Sequence, residues 1–113
     1  DLMITQYIDA HACDLAAKLP PTVRALIHQA SLDLYYGPHH EDDYPGFASA
    51  CDLIREALET VEDVYMDEDG NTWDREPQAW TEDGETFEPP PYCLIEARDL
   101  VARIVGPELA RYL

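Results

Sequence analysis

Carboxylates are the side chains in this sequence with the most capacity for chemistry, because they are both numerous and unevenly placed. Residues 59–88 hold twelve of the chain's 24 acids and a single base, Arg75. Grouped carboxylates can hold a cation, act as a general acid and base, or face a basic surface of another macromolecule. With acids in such surplus, no particular pair stands out as catalytic. Charge of this density opposes folding unless a solvated face, a cation or a basic partner offsets it.

The run Asp67-Glu68-Asp69-Gly70-Asn71 invites comparison with a helix–loop–helix calcium loop, but the register fails. With Gly70 at loop position six, the first ligand falls on Tyr65; with Gly84 there, it falls on Ala79. Neither supplies the carboxylate that position one requires, and Glu76 alone reaches position twelve. The second group of ligand-type atoms is His39-His40-Glu41-Asp42-Asp43. Adjacent histidines with carboxylates can bind a transition metal, although no helical pair such as HExxH is present to pre-set them.

Nucleophilic catalysis finds no support. Ser31, Ser49 and the cysteines Cys13, Cys51 and Cys93 lack any surrounding signature of a base and its orienting partner. The cysteines are odd in number, widely spaced and free of CxxC or Cys/His zinc spacing, so they are expected to be small buried hydrophobes. The five glycines are dispersed at turns and form no phosphate loop. A non-enzyme without a cofactor is therefore expected.

Composition narrows the partners. There are seven bases in all, for a formal net charge of −17. Lys18 is the sole lysine, and the six arginines are scattered. A phosphate-binding face needs clustered Lys and Arg, so direct binding of nucleic acid is not expected, nor is attraction to anionic membranes. No apolar run approaches the roughly 18 residues of a membrane-spanning helix, and the start has no basic leader region. A cytoplasmic location is expected.

The elements that must position these groups follow from periodicity. The 113 residues, 46% of them apolar, suit one domain, 1–113. Ile4, Tyr7, Ile8, Ala12, Leu15 and Leu19 recur at helical spacing, predicting a helix over about 4–19 that ends at Pro20-Pro21. A second helix is predicted over about 22–36, stopped by Gly37-Pro38. Phe47, Cys51, Ile54, Leu58, Val61 and Tyr65 predict a third over about 47–64, and Leu94, Ala97, Val101, Ile104 and Val105 a fourth over about 92–105. A short last helix is predicted from Glu108 to Leu113.

Between the last two long helices, residues 65–88 contain an echo, Asp69-Gly70-Asn71-Thr72-Trp73 and Asp83-Gly84-Glu85-Thr86-Phe87. Asp-Gly favours type I′ turns, so two hairpins are predicted, with Met66 opposite Trp73 and Trp80 opposite Phe87. Pro89-Pro90-Pro91 closes this insertion as a stiff spacer. The expected fold is mainly α: a small bundle of three or four helices carrying a short acidic β-hairpin insertion (α+β).

The functional expectation is an acidic binding protein, an inhibitor docking on a basic or nucleic-acid-binding protein, by imitation of nucleic acid. Short, acidic, motif-poor inhibitors of the anti-restriction, anti-CRISPR or immunity type, carried by phages and mobile elements, share this character. The expected contact residues are Asp63, Asp67, Glu68, Asp69, Glu82, Asp83 and Glu85, with Trp73 and Trp80 as apolar anchors. The alternatives are a small metal-binding protein using the His39–Asp43 loop or the acidic turns, and a structural subunit whose seam from Phe47 to Tyr65 makes an oligomer such as a homodimer.

Overall fold

Proline and glycine set the limits of the helices. In the computed structural model, which describes residues 2–37 and 44–113, α1 (Leu2–Ala17) ends just before Pro20. Pro21 opens α2 (Pro21–Tyr36), where a missing N–H costs nothing, and Gly37 ends it at φ 90°. α3 (Phe47–Ala57) follows, then strands β1 (Val64–Asp67), β2 (Thr72–Trp73), β3 (Trp80–Glu82), β4 (Glu85–Phe87) and β5 (Tyr92–Ile95). α4 (Ala97–Val105) and the single turn α5 (Pro107–Ala110) complete the described chain. The architecture is α+β. The His39–Asp43 cluster lies outside the described residues.

β1 is the centre of an antiparallel sheet in the order β2-β1-β5. Strand alternation gives this sheet two different faces. Val64, Met66, Cys93 and Ile95 point inward against α1 and α4, with Met66 fully buried. Tyr65, Trp73, Tyr92 and Leu94 point outward, and the Tyr65 and Tyr92 rings meet edge to face at 5.7 Å. Ile8 and Ala12 of α1 and Leu100 of α4 complete this core. A second core holds Ala30 of α2, Cys51, Ile54 and Leu58 at the end of α3, and Val105 and Leu109 near the C-terminal end. Val61 and Ile104 touch both cores and join them.

Several sequence expectations are corrected. The third helix stops at Ala57, not near 64, because Val64 and Tyr65 are β-branched and aromatic and pair with β5. The fourth helix starts at Ala97, since Tyr92–Ile95 form that partner strand; Leu94, expected inward, is 48% exposed, and Leu100 takes the inward place. The first hairpin pairs Tyr65 with Trp73 and Met66 with Thr72, one residue away from the expected register. Its loop is three residues long, with only Gly70 at positive φ, so it is not the two-residue type I′ turn. Cys13, expected buried, is exposed.

The second hairpin, β3–β4, has the expected register, Trp80 opposite Phe87 and Glu82 opposite Glu85. Asp83 (φ 53°) and Gly84 (φ 80°) both lie in the left-handed region, as a type I′ turn demands. Every residue of this hairpin is exposed, and it makes no extensive contact with any other element. It projects as an arm from a molecule measuring 66 × 25 × 20 Å, whose radius of gyration is 18.0 Å. A compact chain of this length would have about 13 Å.

The two Asp-Gly turns differ in what surrounds their glycine. A Cβ on Gly70 would stand 2.7 Å from Cδ1 of Tyr7 on α1, whereas nothing lies within 4 Å of one on Gly84. Gly70→Ala therefore combines left-handed strain with a clash and is expected to cost about 2–3 kcal/mol, against about 1 kcal/mol for Gly84→Ala. Thermal melts should show a midpoint lowered by about 10 °C or more for Gly70→Ala and little changed for Gly84→Ala, whose strain falls on a hairpin with no extensive contact to the body. Equal shifts would mean that the contact between α1 and the loop is not made.

Candidate protein-binding arm

The residues singled out by the sequence do not form one surface; they fall into three places. Asp63, in the connection from α3 to β1, accepts a 2.6 Å hydrogen bond at Oδ1 from the Ala97 N–H. It thus caps α4 from a distant segment, although it stays exposed. Its carboxylate sits where the helix presents unpaired donors.

Asp67 is the second place, and its role differs from the one expected. It is only 2% exposed and unable to face a partner. Oδ1 accepts the N–H groups of Asp69 and Asn71, both at 3.0 Å, and Oδ2 accepts Nδ2 of Asn71 at 3.2 Å and Nε1 of Trp73 at 3.4 Å. Burial alone would raise its pKa, but these four donors outweigh burial and hold the carboxyl below its ordinary value. The donors surround both oxygens, which leaves this turn poorly suited to hold a cation. Trp73, expected as an apolar anchor, is tied to the turn by its indole N–H. Glu68 and Asp69 remain exposed at the loop tip.

The third place is the arm itself. Trp80 and Phe87 stack across the strands with ring centroids 5.4 Å apart and planes 17° from parallel. Both are exposed, Trp80 to 50%. Alternation puts Glu82 and Glu85 on the same face as these rings, with Thr81 and Thr86 on the other. Asp83 stands at the turn. Among the described residues, none of Glu82, Asp83, Glu85 and Glu88 joins an ion pair; those pairs are Arg55–Asp52, Arg98–Glu96 and Arg103–Asp9, all on the helical body.

The base of the arm is fixed more firmly than its tip. Pro77 is buried, and the Tyr92 hydroxyl donates a 2.6 Å hydrogen bond to Oε1 of Glu76. That contact ties the segment entering β3 to the strand that follows the arm. The carboxylate of Glu76 raises the Tyr92 pKa above its ordinary value. Phe87 belongs with the site residues although its pairing with Trp80 was readable from the Asp-Gly turn. Asn71, the main donor to Asp67, carried no sequence signal beyond its place after Gly70.

No family model, curated protein or solved structure matches this chain. Among the described residues no group of three or more His, Cys, Asp or Glu side chains is arranged to hold a metal ion, and no helix is long and apolar enough to cross a membrane.

Asp67→Asn tests the turn. The amide keeps one acceptor but turns an NH₂ donor toward Asn71 Nδ2 and Trp73 Nε1, a loss of about 2–3 kcal/mol at pH 7. Because the folded pKa is depressed, the charge of Asp67 contributes its full stability above the unfolded value of about 3.9. That contribution disappears as pH falls through the lower folded value. Urea denaturation should therefore give a gap between wild type and Asp67→Asn that is constant from pH 7 to pH 5 and closes below about pH 4. A gap independent of pH would remove the charge from the explanation.

Proposed function

We propose that the protein is a non-enzymatic binding protein that docks its acidic hairpins on a basic surface of another protein. The observation that carries this reading is the β3–β4 arm. It exposes a stacked aromatic pair and carboxylates that have no ion-pair partner among the described residues. Exposed aromatics make frequent interface anchors, and a charged rim steers an oppositely charged partner. The contact set is Trp80, Glu82, Asp83 and Glu85, joined by Phe87 and by Glu68 and Asp69 at the neighbouring loop tip. Asp67, Trp73 and Asp63 act behind it by holding the turn and capping α4.

In its sharper form, the carboxylates take the place of nucleic-acid phosphates on a nucleic-acid-binding protein, and the chain acts as an inhibitor in the cytoplasm. The helices, taken as a small bundle, then serve as the platform from which the arm projects. Supporting this form are the net charge of −17 and the concentration of acids in one segment. At the Asp67 turn a metal-binding role draws no comparable support, because that turn is filled by hydrogen-bond donors.

Affinity capture with the tagged chain, beside a Glu82→Gln/Asp83→Asn/Glu85→Gln variant, tests the proposal. The wild type is expected to retain a nucleic-acid-binding protein that the variant and a high-salt wash both release. The purified chain should then compete with nucleic acid for that protein. Identical captured sets for the two chains would overturn the reading.

A further inference from the structure

Building on the proposed docking function, we infer that the Trp80–Phe87/Glu82–Glu85 face of the arm is a seat for an arginine side chain of the partner. Glu82 and Glu85 lie directly opposite each other on antiparallel strands. Side chains so placed have Cβ atoms about 4.5–5.5 Å apart, and like charges there are destabilising. The same arm makes no extensive contact with any other element, and an isolated two-stranded hairpin is marginal in water. The stacked rings hold the hairpin closed, while the two carboxylates oppose that closure from the same face.

A cation placed between the carboxylates would reverse the sign of their interaction. Among the described residues the chain supplies none there: the one base of residues 59–88, Arg75, forms no ion pair with them. The chemistry of the face selects among cations from outside. Two opposed carboxylates can accept from the planar donor fork of a guanidinium, and an exposed indole on the same face offers a surface on which that plane can stack. An ammonium group presents a compact, strongly hydrated charge and gains less from the rings. A bare metal ion would use the carboxylates alone and gain nothing from the exposed ring face. The occupant is therefore an arginine of a partner protein, and the other basic groups on that partner's surface meet Asp83, Glu68 and Asp69 as the rim.

The test uses the ¹⁵N-labelled full chain, with the Trp80 indole signal assigned from a Trp80→Phe variant. A short arginine-rich peptide and its lysine counterpart of equal length are titrated in at low salt. The arginine peptide is expected to shift the Trp80 indole and the Thr81–Phe87 amides, and to bind at least about tenfold more tightly than the lysine peptide. Glu82→Gln/Glu85→Gln should weaken arginine binding by about tenfold or more, whereas the charge-matched Glu59→Gln/Glu62→Gln, at exposed positions outside the contact set, should leave it within about threefold. Because the first pair of changes removes a repulsion, the arm's own amide signals should stay dispersed, which separates lost binding from lost structure. Glu85→Lys should also abolish the site by supplying the cation from within the hairpin.

Equal binding of the two peptides at the arm, or unchanged affinity in Glu82→Gln/Glu85→Gln, would overturn the arginine seat and leave docking on basic surfaces standing. Binding of neither peptide at low salt would overturn both. Shifts confined to residues outside the arm would overturn the seat and move the docking surface elsewhere.

Discussion

Asp67 places an anion at the centre of a turn whose chain directs four hydrogen-bond donors inward. Without that anion, the N–H groups of Asp69 and Asn71 would be left to solvent and the loop would have no reason to take three residues instead of two. The length of the loop sets the pairing of β1 with β2, and so puts Trp73 beside Tyr65 on the outer face. A slip of one residue would carry Trp73 to the side of Met66, the fully buried centre of the sheet. The same turn brings Gly70 against the ring of Tyr7, which seats α1 on the sheet. One carboxylate turned inward thus links the sheet's register to the docking of a helix sixty residues earlier in the chain.

Around that fixed point, the molecule separates its two needs, a core and a high charge, in space. The helical body and the inner face of the sheet collect the apolar side chains, and the surface ion pairs of the described residues lie on the body. The acids of the arm are carried outward, where water and salt screen them from the rest. At physiological ionic strength, the screening length is about 8 Å, short against the 66 Å long axis of the molecule. Repulsion between arm and body is therefore small, while repulsion within the arm, between Glu82 and Glu85, is not. A chain so charged folds more readily when its densest charge is not folded back on the core.

Where neighbours along the chain decide the structure, the sequence was a good guide. Pro20-Pro21 and Gly37 mark the ends of α1 and α2, and Asp83-Gly84 sets the β3–β4 register because both residues accept positive φ. It failed where the deciding partner is remote. Residues 92–95 read as the start of a helix because Leu94 continues the period of Ala97 and Val101, and nothing local reveals that they pair with residues 64–67 as β5. Tyr65 extended the period of α3 in the same way, being partly buried for a strand's reason at a helix's spacing. The two Asp-Gly pairs look alike in sequence yet make different turns, since only the first has an acid two residues before its Asp that can fold back onto the turn's N–H groups. The same limit applies to Asp67. An acid's type says that it can bear charge, but its neighbours in space decide whether Asp67 faces a partner or holds a turn.

The arm's construction bears on how a small exposed hairpin could bind with useful strength. Ordering a mobile loop on contact would subtract from affinity, and a hairpin already paired before contact reduces that loss. Here the tip is a type I′ turn, the middle is held by the Trp80–Phe87 stack, and the base is flanked by Pro77 and by Pro89-Pro90-Pro91, whose backbones have little freedom to lose. The Tyr92–Glu76 hydrogen bond joins the two sides of that base. These features counter the repulsion between Glu82 and Glu85 without neutralising it. Adding an internal base would have stabilised the hairpin more simply. Keeping the carboxylates unpaired beside a half-exposed indole makes structural sense when the missing cation arrives from outside.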